Sequence, residues 1–187
     1  MTRDRLEWLT LIVLVALLGG GWIVLSRETE ADSLPIPLTT APYVGALAHD
    51  FTAQTHDGAS VTLSDFTAGG TTGAGTPGVL NFWATWCPPG RGEMPHFEAT
   101  AQLYGDDVAL LGVNQAESAE TIAAYARDHG LTYPLLVDEE MTINHLYGIL
   151  NLPTTIFIDA NGIVREVLIG TMSRAVLEER IEKLLEE

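Results

Sequence analysis

A second cysteine is what this chain most plainly lacks. Cys87 is the only one in 187 residues, which excludes an intramolecular disulfide and any zinc site built from several thiolates. Basic residues are scarce as well: nine Lys and Arg stand against 25 Asp and Glu, a net charge of −16. Arg3, Arg5 and Arg27 nearly balance Asp4, Glu7, Glu28 and Glu30, so −15 of that charge falls on residues 31–187. A surface this acidic repels phosphate backbones, whose binding depends on Lys and Arg displacing counterions. Nucleic acid is therefore excluded as a partner, and anionic headgroups are disfavoured. The five histidines show no H-E-x-x-H spacing, and neither a metal site nor a cofactor is assigned. No internal repeat is visible, and the length suits one domain with an appendage.

The long apolar run is confined to the N-terminus. Residues 8–25 are 18 uncharged positions, and as a helix rising about 1.5 Å per residue they span roughly 27 Å, close to the ~30 Å bilayer core. We read residues 1–7 as a short cytoplasmic N-terminus and 8–25 as a transmembrane anchor. A cleaved signal peptide is the rival, but the run is long for one and no Ala-x-Ala follows Leu25. A buried soluble helix is the third reading. Two arginines before the run and one after it orient the N-terminus inward only slightly, which places the larger domain on the extracytoplasmic side of the cell membrane. Residues 26–44, with Pro35, Pro37 and Pro42 and no periodicity, read as an extracytoplasmic linker. The domain proper is assigned to residues 45–187.

Within it, two β-prone runs flank His56, Asp57 and Gly58, a hairpin signal. Residues 67–78 are too rich in Gly and Thr to pack. Residues 79–84 (VLNFWA) are apolar on both faces, as in a buried central strand. Met94, Phe97, Ala101 and Tyr104 then recur at helical spacing, and residues 108–114 return to a strand pattern. A helix over 118–130 follows, with Ser118 as N-cap and Gly130 as terminator. A short strand at 135–137, a helix over 139–147 and a strand at 154–159 come next. Asn161-Gly162 turns into a strand at 163–169, and Ser173 opens a closing helix whose apolar face holds Val176, Leu177, Ile181 and Leu184. Such alternation implies an α/β domain with a mixed sheet covered by helices on both faces.

Cys87 stands where a buried strand gives way to a helix that begins with Pro88 and Pro89, residues suited to a first turn that needs no intrahelical N–H. Its sulfur then faces the positive end of the helix dipole, which favours the nucleophilic thiolate. An inert buried cysteine would fit that position equally well.

Here the residues resemble a family. The segment 81–95 (NFWATWCPPGRGEMP) is similar to the active-site segment of TlpA-like and ResA-like membrane-anchored thioredoxins, in which W-C-x-x-C opens the active helix. The likeness runs in order through residues 45–63, the insert at 108–147, and Leu152-Pro153-Thr154-Thr155 with its following strand and Asn161-Gly162. It implies a thioredoxin-like fold and a thiol-disulfide oxidoreductase whose partners are protein thiols or disulfides outside the cytoplasm. By the same resemblance Cys87 is the catalytic nucleophile and Glu93 its proton carrier. Trp86, Pro88, Pro89, Gly90, Leu152, Pro153 and Thr154 would line the substrate groove, with Pro153 in the cis form. Read without the resemblance, Glu93 is as readily a solvated helix residue, and Pro153 an ordinary trans proline. Trp83 would serve both core and site, and Pro95 would kink the helix.

Gly90 is the departure, standing where the resolving cysteine of the motif belongs. Dithiol exchange needs a second thiol one turn away to displace the first from its mixed disulfide. Asn81 likewise takes the place of a buried acid, and His49 that of a proline. Three functions remain open: an oxidoreductase acting through one thiol, a non-redox peptide-binding or chaperone-like module, and a one-cysteine peroxidase. The last fits poorly, because the threonine expected three residues before the cysteine is Ala84 and Thr85 is out of register.

Overall fold

The computed structural model describes residues 44–67 and 75–186. The anchor at 8–25, nearly all of the linker at 26–44 and the middle of the Gly/Thr-rich loop lie outside them. Among the described residues no helix is long and apolar enough to cross a membrane.

Among those residues seven strands and four α-helices follow in order: β1 (Thr52–Gln54), β2 (Ser60–Thr62), β3 (Gly78–Trp83), α1 (Pro88–Tyr104), β4 (Ala109–Gln115), α2 (Ala119–His129), β5 (Leu135–Asp138), α3 (Thr142–Leu146), β6 (Thr154–Ile158), β7 (Val164–Ile169) and α4 (Arg174–Leu185). The main sheet has the order β5-β4-β3-β6-β7, with β3, β4 and β5 parallel and β6 and β7 antiparallel to their neighbours. This is the expected mixed sheet. Every residue of β3 is buried, as a strand central in the order and covered on both faces must be.

Alternation along β3 divides the core in two. Val79 and Trp83 join Met94 and Phe97 of α1, Ile122 of α2 and Leu177 and Ile181 of α4 on one face. Leu80 and Phe82 join Leu111, Val113, Ile156, Ile143 of α3 and Tyr147 on the other. Capping follows the sequence closely: the Ser118 side chain accepts from the Thr121 N–H, that of Ser173 from the Val176 N–H, and Gly130 ends α2 at φ 66°. The helix expected over 139–147 is shorter, because the Asp138 carboxylate accepts the backbone N–H of Ile143 and Asn144 at 3.0 and 2.8 Å and sets its start later.

The β1/β2 hairpin, turning through Gly58 at φ 91°, lies against the outer edge of β5. Its His56 N–H donates to the Leu135 carbonyl at 2.9 Å, and Thr55 bridges Leu136. At the opposite edge the Gly45 N–H donates to the Val164 carbonyl at 2.8 Å and the Val164 N–H to that of Ala46 at 2.9 Å. Beyond that point β7 carries Arg165 and Glu166, paired with Asp159 at 2.7 Å and Arg180 at 3.0 Å.

Candidate active site

Cys87 is the N-cap of α1, in an extended conformation, with Pro88 and Pro89 occupying the first helical positions. Its carbonyl accepts the Arg91 N–H at 3.0 Å. The residue is 7% exposed, and the Sγ donates to the Leu152 carbonyl oxygen at 3.7 Å. That carbonyl belongs to the Leu152–Pro153 peptide bond, which is cis. Thus the helix start and the turn into β6, 65 residues apart, meet at the sulfur. Thr154 begins β6, and its hydroxyl donates to the Asn151 carbonyl at 2.8 Å. Trp86 stands 58% exposed beside the cysteine, and Leu150 is 92% exposed two residues before Leu152. Pro88 and Pro89 are exposed, while Gly90, Pro153 and Thr154 are buried. The groove residues proposed from sequence therefore divide between an exposed rim and a buried floor.

Gly90 lies against the sulfur. A Cβ placed on it would sit 3.8 Å from both the Cβ and the Sγ of Cys87 and 3.7 Å from the Cβ of Trp83. These are ordinary contacts, so the space for a side chain has been kept.

Glu93 is not the solvated residue that its type suggests, being a buried residue of α1, 1% exposed. Its Oε2 accepts the Met172 N–H at 3.1 Å and its Oε1 the Asn81 side-chain amide at 3.0 Å. The same amide nitrogen donates to the Thr155 hydroxyl at 3.2 Å. Burial pushes the Glu93 carboxyl up to about 7, against the pull of the Met172 and Asn81 donors, which favour the charged form. It can gain or lose a proton near neutrality.

Sequence reasoning missed Glu117. One carboxylate oxygen accepts the Thr85 N–H at 2.7 Å and the Asn114 amide at 2.8 Å, while the other accepts the Thr85 hydroxyl. Glu117 thereby ties the segment leading into Trp86 and Cys87 to the end of β4. Ala116, just before it, adopts φ 58°, a conformation unfavourable to a residue with a Cβ. A glutamate 32 positions from Thr85 on an acidic chain gives no signal in sequence.

Among the described residues, no group of three or more His, Cys, Asp or Glu is arranged to hold a metal ion.

Residues 44–167 match the AhpC/TSA family. The chain is 32% identical to the thioredoxin-like protein YneN of Bacillus subtilis, over 94% of this chain and 97% of that protein. It is also 32% identical to the thiol-disulfide oxidoreductase ResA of Geobacillus thermodenitrificans, over 97% of each. Among solved structures it resembles a putative protein disulfide isomerase from Bacteroides thetaiotaomicron, with a TM-score of 0.68 at 30% identity, covering 78% of this chain and 91% of that one. A putative thiol:disulfide interchange protein DsbE from Chlorobium tepidum superposes with a TM-score of 0.67 at 26% identity, over 76% and 98%.

Proposed function

Because the chain belongs to the AhpC/TSA family, we propose that it is a thioredoxin-fold thiol-disulfide oxidoreductase that works through Cys87 alone, held to the cell membrane by residues 8–25 with its domain outside the cytoplasm. The observation that carries this reading is the meeting of the Cys87 Sγ, at a helix N-terminus, with the Leu152 carbonyl ahead of a cis proline. A nucleophile there is flanked by a backbone carbonyl and an apolar rim, which suits an extended stretch of a protein substrate. Relatives named as thiol-disulfide oxidoreductases over nearly the whole chain support the chemistry.

The Cys87 thiolate attacks one sulfur of a substrate disulfide. A new S–S bond forms, the old one breaks, and the other substrate sulfur leaves as a thiolate that takes a proton. With Gly90 in place of the second cysteine, the mixed disulfide is resolved from outside, by a partner's thiol or a small thiol. That thiolate attacks the adduct and returns Cys87 to the reduced state. Glu93, titrating near neutrality, is the buried group suited to hold or release a proton during the cycle.

Gly90 also favours a second reading, a peptide-binding module that has kept the groove and lost dithiol exchange. Cys87→Ser separates the two. Under the first, reducible higher-mass species seen on non-reducing gels of the native protein disappear in the variant, along with function. Retention of function by Cys87→Ser would establish the binding module.

A further inference from the structure

Between the active helix and the sheet lies a buried polar cluster: Glu93 of the helix is 1% exposed, and Asn81 of β3 and Thr155 of β6 are 0% exposed. Asn81 joins the other two. Its Nδ2 donates to Glu93 Oε1 at 3.0 Å and to the Thr155 hydroxyl at 3.2 Å, while its Oδ1 is buried without a hydrogen-bond partner. A buried acceptor without a partner is costly to keep and calls for a role. Thr155 pairs with Asn81 across β3 and β6; it is the second residue of β6, two residues after Pro153, and the turn that leads into the strand carries the Leu152 carbonyl that contacts Cys87.

The cluster as it stands serves only the carboxylate. Both atoms facing Glu93, the Met172 N–H and the Asn81 Nδ2, are donors, and neither can accept the proton of a carboxylic acid. The acceptor that the acid needs is the idle Oδ1 of the same amide. Rotating the Asn81 amide by half a turn exchanges its nitrogen for its oxygen, so that Oδ1 accepts the Glu93 O–H. The Thr155 hydroxyl, which can donate as well as accept, turns its own proton to that oxygen.

We infer that Asn81 is a positioning residue whose amide reverses with the protonation of Glu93, and that Thr155 passes the reversal to the cis-proline turn over Cys87. The inference rests on Cys87 being the reacting group. The proton comes from solvent and no other bond changes. Cys87, Arg91, His96 and Glu98 lie on the helix of Glu93 itself, His96 with its Nδ1 at 3.3 Å from the Met172 carbonyl oxygen and Glu98 accepting from Thr132, and Tyr133, which feels both carboxylates, lies ahead of β5. From β3 and β6 come Asn81 and Thr155, which do not titrate. The charged residues of α4, packed along α1, make surface contacts, Arg174 with Glu178 and Glu182 with the Tyr104 hydroxyl. Burial that holds the Glu93 carboxyl at about 7 puts the reversal in the physiological range.

The experiment follows two quantities against pH in the full chain: the carboxyl carbon shift of Glu93 by NMR, and the rate constant for alkylation of Cys87. In the native protein both should change with one midpoint near 7, and Glu93→Gln should remove that inflection from the alkylation profile. Asn81→Ala, which takes a donor from the charged form and the weaker contact of an acceptor from the acid, should raise both midpoints together by less than about one unit. Thr155→Val, which keeps the shape and both of Glu93's donors, should leave the Glu93 midpoint in place and flatten the alkylation inflection at least threefold. An unmoved Glu93 midpoint in Asn81→Ala, or Asn81 side-chain amide resonances that stay constant through that midpoint in the native protein, refutes the amide's role. A native-like inflection in Thr155→Val, or none in the native protein, refutes the route to the sulfur. Whether Cys87 performs disulfide exchange at all is read separately, from mixed-disulfide formation, so a failure of that reading leaves the NMR result standing on its own.

Discussion

Restoring the missing thiol is the most direct test of how much of the site survives. A Cβ built on Gly90 lies 3.8 Å from the Cβ of Cys87, which is about the mean Cβ–Cβ separation of protein disulfides, ~3.8 Å. Gly90→Cys should thus let the introduced thiol close a disulfide with Cys87, with only a rotation of the two sulfurs. Closing so small a loop removes little entropy from the unfolded chain, about 2 kcal/mol for a four-residue ring. At a slope of about 2 kcal/mol per M, the oxidised variant should unfold at roughly 1 M more urea than the same variant reduced. Thiol counting should find two reactive groups after reduction and none after oxidation. Insulin turbidity with a small thiol as reductant should show catalysis in Gly90→Cys well above that of the native chain, whose mixed disulfide only the external thiol can resolve. The reasoning fails if the two thiols stay free under oxidising conditions, since the kept space would then not be that of a disulfide. It fails equally if the native chain already reduces insulin without an external thiol.

Three further outcomes are expected. Raised from 4.5 to about 7 by burial, Glu93 binds its proton more tightly folded than unfolded, so it contributes stability that is full below pH 4.5 and lost as pH rises through 7. The stability of the native protein relative to Glu93→Gln, from urea unfolding across pH 4–8, should therefore fall by on the order of 3 kcal/mol, and a flat difference would refute the burial argument. Glu117→Ala removes the acceptor of three hydrogen bonds at Thr85 and Asn114 and should cost about 1–3 kcal/mol while slowing alkylation of Cys87; unchanged alkylation would show that the segment holds itself. The full chain should remain in the membrane pellet after alkaline carbonate washing, whereas a chain starting near Ala31 should be soluble; recovery of a soluble native protein lacking residues 1–25 would overturn the anchor.

What can be read from sequence is what depends on neighbours along the chain. Ser118, Gly130 and Ser173 act within a turn of where they stand, and the buried run at β3 announces a central strand by itself. Cys87 and Pro153 are legible together only through a resemblance, because nothing in the residues between them says that they meet. Glu93 is ambiguous for a physical reason: a helix glutamate is usually solvated, and its burial depends on an amide from β3 and a backbone N–H from the segment before α4. Glu117 is invisible on the same grounds. Its partners come from beyond the end of β3 and from the end of β4, which only the folded sheet brings together. The helix over 139–147 starts too early in the sequence reading because the carboxylate that caps it belongs to the preceding strand.

The covered edges of the sheet decide which part of a substrate the protein can hold. An open strand edge captures extended polypeptide indiscriminately. The hairpin occupies the edge of β5 at Leu135 and Leu136, residues 45–46 occupy the edge of β7 at Val164, and the charged Arg165 and Glu166 come next along it. Under the proposed function, a substrate that docks by its backbone at the turn of Leu152 and Pro153 arrives with its sulfur near the only thiol the protein has.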